Sequence, residues 1–525
     1  MKRRPPAIHP FLFAAYPVLF LFFKNIYLLS IKQLFVPLFV ALTFAAALLL
    51  IMKPVFGDYL KAGVFSSVVL ILFFSYGAVY TFLEPFHFGG SSFFVGPKKL
   101  TFLVMVMPAA VGFFLVRRAG DPVAATRLLN ITALCLILIS PLAFGAGRVK
   151  VEGASNRPFT PGHTEEKTGT VPEGSLPDIY YIILDGYGGA DILKQLYSWD
   201  NKEFLDYLSR KGFHVVPEAR TNYPKTVYSL AASLNFSYQN DLSEDFKDVP
   251  EGYLVPIIER LQDNKVFRIL KDFGYKNIVI SSHYLMYGIT HTDTLLKKSW
   301  SADEFQNSLI NYTPVPALLD FLRFRLIDQY RMHRERIHYM FSGLKTAAEF
   351  AGPTFVYAHI MSPHPPFVFG PNGEAVQPDR GLSTKDGKDY LKEGGTVEEY
   401  LAGYKAQIQY VNKKMIETID FLLSRPGNEP IIVIQGDHGP RITMDFTARA
   451  IEDISAEGFS ILNAYYLPEG GAKNLHQGIT PVNTFRIIFN TYFNGKYPLL
   501  PDKCYFITKK SPFVFHDVTD AVRKN

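Results

Sequence analysis

The amino-acid sequence predicts an N-terminal transmembrane helical bundle followed by an α/β domain, with a mostly parallel sheet that carries helices on both faces. Three observations predict this fold class. About the first 147 residues are apolar runs broken by short basic connectors, which is typical of membrane-spanning helices. The remainder alternates strand-like and helix-like segments, as layered α/β domains do. A chain of 525 residues is also too long for one ordinary domain.

Five apolar segments have about the 20-residue length that crosses a bilayer. The first is interrupted by Lys24 and Asn25, so an interfacial helix that leaves four spans is an alternative. Basic residues precede the first segment and separate the fourth from the fifth, which favours a cytoplasmic N-terminus. With five spans we expect an integral protein of the cytoplasmic membrane whose C-terminal domain is extracytoplasmic. The segments are Phe11–Leu29, Leu34–Met52, Ala62–Leu83, Leu100–Val116 and Leu128–Gly147.

Three regions follow from this pattern. We predict a transmembrane region of about five helices over 1–147, an extracytoplasmic tether over 148–177 and the α/β domain over 178–525. The tether is rich in Gly, Pro, Thr and Glu and has little apolar periodicity, so it cannot bury a core of its own.

Composition narrows the classes of function. Charged residues make up only 19% of the chain, which is low for a soluble enzyme and agrees with a part that lies in lipid. The net charge of +6 is modest and no long Lys/Arg run carries interleaved aromatic residues, so we expect no nucleic-acid partner. The two cysteines, Cys135 and Cys504, are too few for a disulfide framework.

Short apolar runs in the α/β region end in acidic residues. Asp185 closes the run "IYYIILDG", and Asp437 and His438 close "PIIVIQGDHG". Continuous apolar runs are typical of buried parallel strands, whose carboxyl ends meet at one edge of the sheet. We therefore expect these three side chains at that edge, although an Asp in such a position can also merely cap the helix that follows.

A hydroxyl lies at the start of a predicted helix. Pro224 precedes "TVYSLAASLN", which predicts a helix beginning near Thr226. A helix N-terminus presents free N–H groups and favours an anionic ligand. The alternative is that Thr226 only caps the helix. Thr221 and Ser229 are rival hydroxyls, and Ser229 would lie about one turn into the helix, where hydroxyls more often bond back to the backbone.

These residue types together fit a metal site. Two carboxylates and a neighbouring imidazole suit one divalent ion, Mn²⁺ or Zn²⁺, with Mg²⁺ as an alternative. Coordination would also activate the hydroxyl of Thr226 as a nucleophile. The alternative is that the Asp-His pair, which lies between glycines, only forms a turn.

One further segment has the pattern of a helix but contains no candidate catalytic or metal-binding residues. The stretch "VPALLDFLRFRLIDQYRMHRERIHYMFSGL" carries several arginines at helical spacing. We interpret it as a surface helix whose long basic side chains lie along the protein. Contact with anionic lipid head groups is the alternative.

Four motifs carry a resemblance to a known family. In the order and spacing of "YYIILDGYG", "NYPKTVYSLAASLN", "AHIMSPHPPF" and "IVIQGDHGPR", the chain resembles the alkaline phosphatase and sulfatase superfamily. It is most similar to the branch that contains lipoteichoic acid synthases and phosphoethanolamine transferases. The resemblance covers roughly Pro177–Asn494. It implies an alkaline-phosphatase-like fold for the α/β domain and an enzymatic role.

The resemblance also implies roles for individual residues. It makes Asp185, Thr226, Asp437 and His438 the metal ligands and Thr226 the nucleophile. His364, in "SPHPPF", resembles the family histidine that contacts the transferred group or its leaving oxygen.

Three further residues are candidates for substrate binding. His359 would line the same pocket or belong to the core. Lys225 and Arg441 would contact anionic oxygens, or else be solvated surface charges.

The sequence lacks the motifs of two branches of this superfamily. Neither cysteine lies in the Cys-x-Pro/Ala-x-Arg motif that formylglycine sulfatases need, which disfavours that class. No Asp is followed four residues later by a His, as the two-zinc phosphatases would require, so a single metal ion is preferred. His476 in "LHQGITPVN" keeps a second ion open.

The resulting hypothesis is a membrane-anchored, metal-dependent, sulfatase-like phosphotransferase. It would move a phosphoglycerol or phosphoethanolamine head group from a membrane lipid to an envelope glycan or lipid through a phosphothreonine intermediate. A phospho- or sulfo-ester hydrolase and a catalytically inactive envelope-binding module are the alternatives. Transport through the membrane region has little support, because Lys24 is the only charge deep in a span.

Overall fold

The computed structural model describes residues 4–26, 29, 31–83, 97–152, 176–284, 286–298, 304–321, 328–378, 381–427, 429–446 and 454–524. The chain divides into two compact units. The first comprises Met1–Gly153 and Ala302–Asp328, and the second comprises Ala154–Ser301 and Gln329–Asn525.

The helices and strands are numbered in the order in which the chain forms them. The helices are α1 (His9–Lys24), α2 (Ile31–Phe56), α3 (Tyr59–Leu83), α4 (Pro97–Arg118), α5 (Val123–Glu152), α6 (Ala190–Tyr197), α7 (Lys202–Arg210), α8 (Thr226–Asn235), α9 (Leu242–Phe246), α10 (Val255–Gln262), α11 (Lys265–Asp272), α12 (Glu304–Asn311), α13 (Val315–Phe321), α14 (Gln329–Ala347), α15 (Lys388–Lys392), α16 (Val397–Leu423), α17 (Thr484–Tyr492) and α18 (Thr519–Lys524). The strands are β1 (Ile179–Leu184), β2 (His214–Val215), β3 (Lys276–Ile280), β4 (Thr294–Leu296), β5 (Thr354–Ile360), β6 (Ile431–Gly436), β7 (Asn463–Tyr466), β8 (Tyr505–Phe506) and β9 (His516–Asp517).

The first unit contains a helix for each of the five apolar segments. Three spans within these helices are long and apolar enough to cross a membrane: Ile31–Phe56, Tyr59–Tyr80 and Val123–Leu142. α1, with 16 residues, is a shorter apolar helix, which fits the interruption at Lys24. α4 is not among the three. The five apolar segments thus form five helices, of which three meet the length and composition of a span, and the expectation of about five spans stays a prediction.

Two short helices from the middle of the chain also belong to the first unit. α12 packs against α1, where the rings of Phe305 and Phe22 lie 6.3 Å apart, and α13 packs against α4. Gly77 N donates a hydrogen bond to Tyr312 O at 2.9 Å. A Cβ at Gly77 would lie 2.6 Å from the Tyr312 ring, so only glycine permits this approach. The arginine-rich stretch predicted as one surface helix thus contributes α13 to the first unit and α14 to the second.

The second unit is built on a seven-stranded sheet with the order β2-β7-β6-β1-β5-β3-β4. The five strands β6, β1, β5, β3 and β4 are parallel to one another, whereas β7 is antiparallel to β6, and β2 is antiparallel to β7. Every residue of β1, β5 and β6 is buried. The predicted mostly parallel sheet is therefore confirmed, and its continuous apolar strands are the central ones.

Helices cover both faces of this sheet, as predicted. Side chains alternate along a strand, so the residues of β1 divide between the two faces. Tyr180, Ile182 and Leu184 belong to the core cluster that contains the buried residues of α14 and α16. On the opposite face, Tyr181 donates a hydrogen bond to Ser233 Oγ of α8 at 2.8 Å and packs against α17.

The predicted tether at 148–177 lies mostly outside the described residues. Its first residues, up to Glu152, belong to α5, and 176–178 lead into β1. The proposed region boundaries therefore stay a prediction.

Candidate active site

The three central strands converge on one group of polar side chains. Asp185 follows β1, and Asp437 and His438 follow β6, which pairs with β1. On the other side of β1, β5 places His359 opposite Ile183 in the register. Because neighbouring parallel strands end at the same edge, two carboxylates and two imidazoles meet there, and all are buried.

Distances around the two carboxylates are short. His359 Nε2 lies 3.1 Å from Asp185 Oδ2 and 4.0 Å from Asp437 Oδ2. His438 Nε2 lies 3.4 Å from Asp185 Oδ1 and 3.5 Å from Asp437 Oδ2. Asp185 Oδ1 and Asp437 Oδ2 accept no hydrogen bond within the described part of the chain.

Thr226 completes this group. It is the first residue of α8, with Lys225 as the N-cap, and its Oγ1 lies 3.2 Å from His438 Nε2. The rival hydroxyls are engaged elsewhere. Thr221 Oγ1 donates to Asp437 O at 2.7 Å and lies 3.0 Å from Ser229 Oγ. Of the three hydroxyls, Thr226 is therefore the one that faces the candidate metal ligands.

Two histidines are fixed in one tautomer. His438 Nδ1 lies 2.7 Å from Gly439 O, and His364 Nδ1 lies 2.6 Å from Pro365 O. A carbonyl oxygen only accepts, so both rings donate from Nδ1 and, when neutral, present the Nε2 lone pair. A neutral His438 therefore cannot donate a hydrogen bond from Nε2 to Asp185 Oδ1 or to Asp437 Oδ2.

Such an arrangement fits a divalent cation. Buried carboxylates are costly unless a cation or hydrogen-bond donors compensate them. Two groups of three residues could each hold an ion, because the ligand atoms within each group lie within 4.8 Å of one another. Both groups contain Asp185. The first adds His364 and His438, and the second adds His359 and Asp437. Carboxylate oxygens with imidazole nitrogens suit Mn²⁺ or Zn²⁺, and backbone-bonded Nδ1 atoms orient such ligands.

The pKa values of Asp185, His359 and His438 are shifted by burial and by the charges of their neighbours. Burial raises the pKa of Asp185, but the nearby His364, His359 and His438 outweigh burial and hold it below its ordinary value. For His359, burial is outweighed by Asp185 and Asp437, and its pKa is raised. For His438, burial and the charge of Arg441 lower the pKa, which favours the neutral ring that a metal ligand requires.

The sequence model of the sulfatase family matches residues 177–490, most of the second unit. The chain belongs to the sulfatase family. The match spans the four motifs and places the α/β unit in the alkaline phosphatase and sulfatase superfamily. No curated protein matches the chain significantly.

Solved structures to which the chain is similar include a periplasmic domain, an integral membrane transferase and a putative sulfatase. The C-terminal periplasmic domain of EcEptC from Escherichia coli, in complex with Zn, is 12% identical, covers 67% of this chain and 94% of its own, and has a TM-score of 0.44. The integral membrane lipooligosaccharide phosphoethanolamine transferase A from Neisseria meningitidis is 12% identical over 92% of this chain and 95% of its own, with a TM-score of 0.41. A putative sulfatase from Bacteroides thetaiotaomicron is 12% identical over 63% and 73%, with a TM-score of 0.38. The family assignment depends on the sequence match and not on these alignments.

One residue of this site lies in no motif or periodic pattern that would identify it from the sequence. Asp386 lies in the loop before α15, and its Oδ2 is 2.8 Å from Arg441 Nε and 3.6 Å from His364 Nε2. Tyr400 donates to its Oδ1 at 2.7 Å. Burial raises the pKa of Asp386, but Arg441 and His364 outweigh burial and lower it to about 2. Gly387 has φ +60°, and a Cβ there would lie 2.6 Å from Arg441 O, so the loop passes directly over Arg441.

Of the remaining predicted residues, some lie at or beside this site and one lies elsewhere. Arg441 Nη2 lies 3.1 Å from His364 Nε2, so Arg441 and His364 belong to the same site. Lys225 lies beside it, with Nζ 4.8 Å from the centroid of the Phe446 ring. His476 is not brought to either set of ligands: its Nε2 lies 2.5 Å from Asp502 Oδ2, and its side chain is 41% exposed.

Proposed function

We propose that this sulfatase-family protein is a membrane-anchored, metal-dependent phosphotransferase. It moves a head group of the phosphoglycerol or phosphoethanolamine type from a membrane lipid to an envelope glycan or lipid through a phosphothreonine at Thr226. One observation carries the proposal: the hydroxyl of Thr226 lies 3.2 Å from His438 Nε2, beside carboxylate oxygens of Asp185 and Asp437 that accept no hydrogen bond among the described residues. Membership of the sulfatase family agrees with chemistry on an anionic ester.

Four residues would hold one divalent ion: Asp185, Thr226, Asp437 and His438. When bound, Mn²⁺ or Zn²⁺, or alternatively Mg²⁺, supplies positive charge that favours the alkoxide of the threonine and the anionic oxygens of the ester. His359 holds the Asp185 carboxylate from the neighbouring strand, at 3.1 Å. The buried Nδ1–H bond of His438 keeps its Nε2 aimed at the site.

The transfer step uses the position of Thr226. The hydroxyl loses its proton and its oxygen forms a bond to phosphorus as the bond from phosphorus to the leaving oxygen breaks; the leaving oxygen takes up a proton from solvent. The free N–H groups at the start of α8 face the anionic group. The guanidinium of Arg441, held by Asp386 beside His364, donates hydrogen bonds to the non-bridging oxygens. In a second step an acceptor hydroxyl attacks phosphorus and the threonine oxygen leaves.

The first unit supports a lipid donor. Three spans in it are long and apolar enough to cross a membrane, so the protein and a lipid substrate would share one membrane. The basic residues before the first helix, at the C-terminal end of α4 and near the start of α5 favour a cytoplasmic N-terminus, and an extracytoplasmic α/β unit belongs to the proposal.

The test is a search for the covalent intermediate. The full chain is incubated with Mn²⁺ and a panel of phospholipids with labelled head groups, and tryptic peptides are analysed by mass spectrometry. We expect a phosphoglycerol or phosphoethanolamine mass on Thr226, absent from Thr226→Ala, with Ser229→Ala as the matched control that keeps the adduct.

Other results would replace the proposal. Bound metal and cleavage of soluble esters, without an adduct from any lipid, would make the protein a phospho- or sulfo-ester hydrolase. No metal binding and no turnover would leave an inactive envelope-binding module.

A further inference from the structure

One face of α16 donates hydrogen bonds to three separate segments of the candidate site. Tyr400, Tyr404 and Gln407 are spaced four and three residues apart, so they lie on the same side of the helix, and all three are fully buried. We call this set the inner face of α16. Because one helix holds all three segments, their relative positions depend on it.

Tyr404 holds the turn that follows β1. Its hydroxyl donates to Gly186 O at 2.8 Å and accepts from Gly188 N at 3.0 Å. Gly186 N in turn donates to Asp437 Oδ1 at 3.1 Å. The hydroxyl of Tyr404 therefore acts, through Gly186, on the orientation of a carboxylate that is a proposed metal ligand.

Gln407 holds the segment that carries His364. Its Nε2 donates to His364 O at 3.0 Å and to Pro363 O at 3.2 Å, and its Oε1 accepts from Val368 N at 2.8 Å. A single buried amide thus fixes the backbone on both sides of the histidine. The ring of His364 then lies with Nε2 3.1 Å from Arg441 Nη2, among the groups assigned to the transferred ester.

Tyr400 acts on the same arginine through an acid. Its hydroxyl donates to Asp386 Oδ1 at 2.7 Å, and Asp386 Oδ2 lies 2.8 Å from Arg441 Nε. Burial raises the pKa values of Tyr400 and Tyr404 well above their ordinary value. Both hydroxyls therefore stay protonated at neutral pH and donate their hydrogen bonds.

We propose that the inner face of α16 consists of positioning residues with two separate tasks. Tyr404 orients the metal ligand Asp437. Tyr400 and Gln407 orient the side chains that contact the transferred ester. This inference rests on the proposed function, which assigns the ion and the ester to these two sets of groups. Loss of one hydrogen bond from α16 should therefore weaken one ligand and spare the other, whereas a general loss of structure would weaken both.

The test measures binding of the ion and of an anion separately. The full chain in detergent micelles, freed of metal, is titrated with Mn²⁺ by isothermal calorimetry. Methylphosphonate, whose P–C bond prevents transfer and hydrolysis, is then titrated at saturating Mn²⁺. Tyr404→Phe should weaken Mn²⁺ binding about tenfold and change methylphosphonate binding by less than about twofold, because it acts on a metal ligand. Gln407→Met should weaken methylphosphonate binding about fivefold and change Mn²⁺ binding by less than about twofold.

Tyr410→Phe is the matched control. It removes a tyrosine hydroxyl from the same helix, but this hydroxyl lies 2.9 Å from His338 Nδ1 of α14. Both affinities should stay as in the unaltered protein. Tyr400→Phe is a second variant for the anion and should act like Gln407→Met. The proposal would be overturned if Tyr404→Phe bound Mn²⁺ as tightly as Tyr410→Phe, or if Gln407→Met weakened both ligands equally.

One measurement needs no variant. Mn²⁺ should slow amide hydrogen exchange at Gly186 and Gly188 in the unaltered chain, because an ion on Asp437 fixes the carboxylate that accepts from Gly186 N. Unchanged exchange at both glycines would overturn the role of Tyr404, whether or not Tyr404→Phe folds.

The outcomes also separate this inference from the proposed function, since neither Mn²⁺ nor methylphosphonate is turned over. A phosphothreonine at Thr226 without the divided effects on binding would defeat only the positioning roles. Divided effects without a phosphothreonine would defeat only the transferase. An unaltered protein that binds no Mn²⁺ would defeat both.

Discussion

The Asp386 carboxylate lies 2.8 Å from Arg441 Nε and ties a loop outside the sheet to the turn that follows β6. The same carboxylate lies 3.6 Å from His364 Nε2, and Tyr400 donates to its other oxygen at 2.7 Å. In the proposed mechanism Asp386 would therefore act on the substrate through Arg441 and His364, as a positioning residue.

Asp386→Asn should lower kcat/KM for the head-group transfer by about 10- to 100-fold, because a neutral amide no longer holds Arg441 by charge. The fall should appear mainly in kcat, since Arg441 would still reach the bound ester but with poorer orientation. Steady-state kinetics measures this. Asp389→Asn, which changes an acid that pairs with surface lysines, is the control, and equal effects of the two variants would contradict a positioning role.

The stabilising effect of Asp386 should depend on pH. Its folded-state pKa of about 2 lies below the ordinary value of 3.8, so the stabilisation is fully present above about pH 4 and is lost as the pH falls through 2. A shift of this size corresponds to about 2 kcal/mol. The difference in melting temperature between the unaltered protein and Asp386→Asn, measured without metal, should be constant from pH 5 to 7 and shrink between pH 4 and 2. A difference that grows on acidification would refute this assignment.

Metal binding should stabilise the second unit. A ligand that binds only the folded state at 100 times its Kd adds about 2.7 kcal/mol. Mn²⁺ or Zn²⁺ should therefore raise the melting temperature of the unaltered protein, and chelation should reverse the increase. Asp185→Asn and Asp437→Asn should show no increase. An unchanged response in both variants would mean that the ion binds elsewhere.

His476→Ala should leave the metal content unchanged. His476 is half-exposed and pairs with Asp502, away from the two ligand sets that share Asp185. Inductively coupled plasma mass spectrometry of the purified protein should give the same metal-to-protein ratio for the variant and the unaltered chain. A loss of one equivalent would establish His476 as a ligand of a second ion.

Thr226→Ser should keep the covalent intermediate, and Thr226→Ala should abolish it. A serine preserves the hydroxyl at the start of α8, so we expect a rate within about tenfold, whereas loss of the nucleophile should cost at least about 10³-fold. Thr221→Ala supplies the comparison, because Thr221 bonds to Asp437 O and touches the site only through the backbone. An adduct that persists in Thr226→Ala would move the nucleophile to another hydroxyl.

Much of the site could be predicted because its residues end regular elements. Asp185 and Asp437 close apolar runs, and parallel strands bring such ends together whatever the intervening sequence. Thr226 follows closely after a proline at the start of a helix. In each case a local pattern fixes where the side chain lies.

Asp386 and the place of α12 and α13 could not be predicted in this way. Asp386 lies in an irregular loop, where no periodicity relates it to Arg441, 55 residues later. α12 and α13 contain only 8 and 7 residues, too few for an apolar pattern to identify the unit in which they pack. Their positions depend on tertiary contacts that the sequence does not encode locally.

The membership of Ala302–Asp328 in the first unit has a consequence for biosynthesis. The five N-terminal helices leave the ribosome soon after residue 153 is made, but the unit lacks α12 and α13 until another 175 residues, 154–328, have been added. At 5–20 residues per second this takes roughly 10–35 s. Tyr312, whose carbonyl accepts a hydrogen bond from Gly77 N in the folded unit, is added only near the end of that interval, so the helical unit is completed only after much of the α/β unit has been translated.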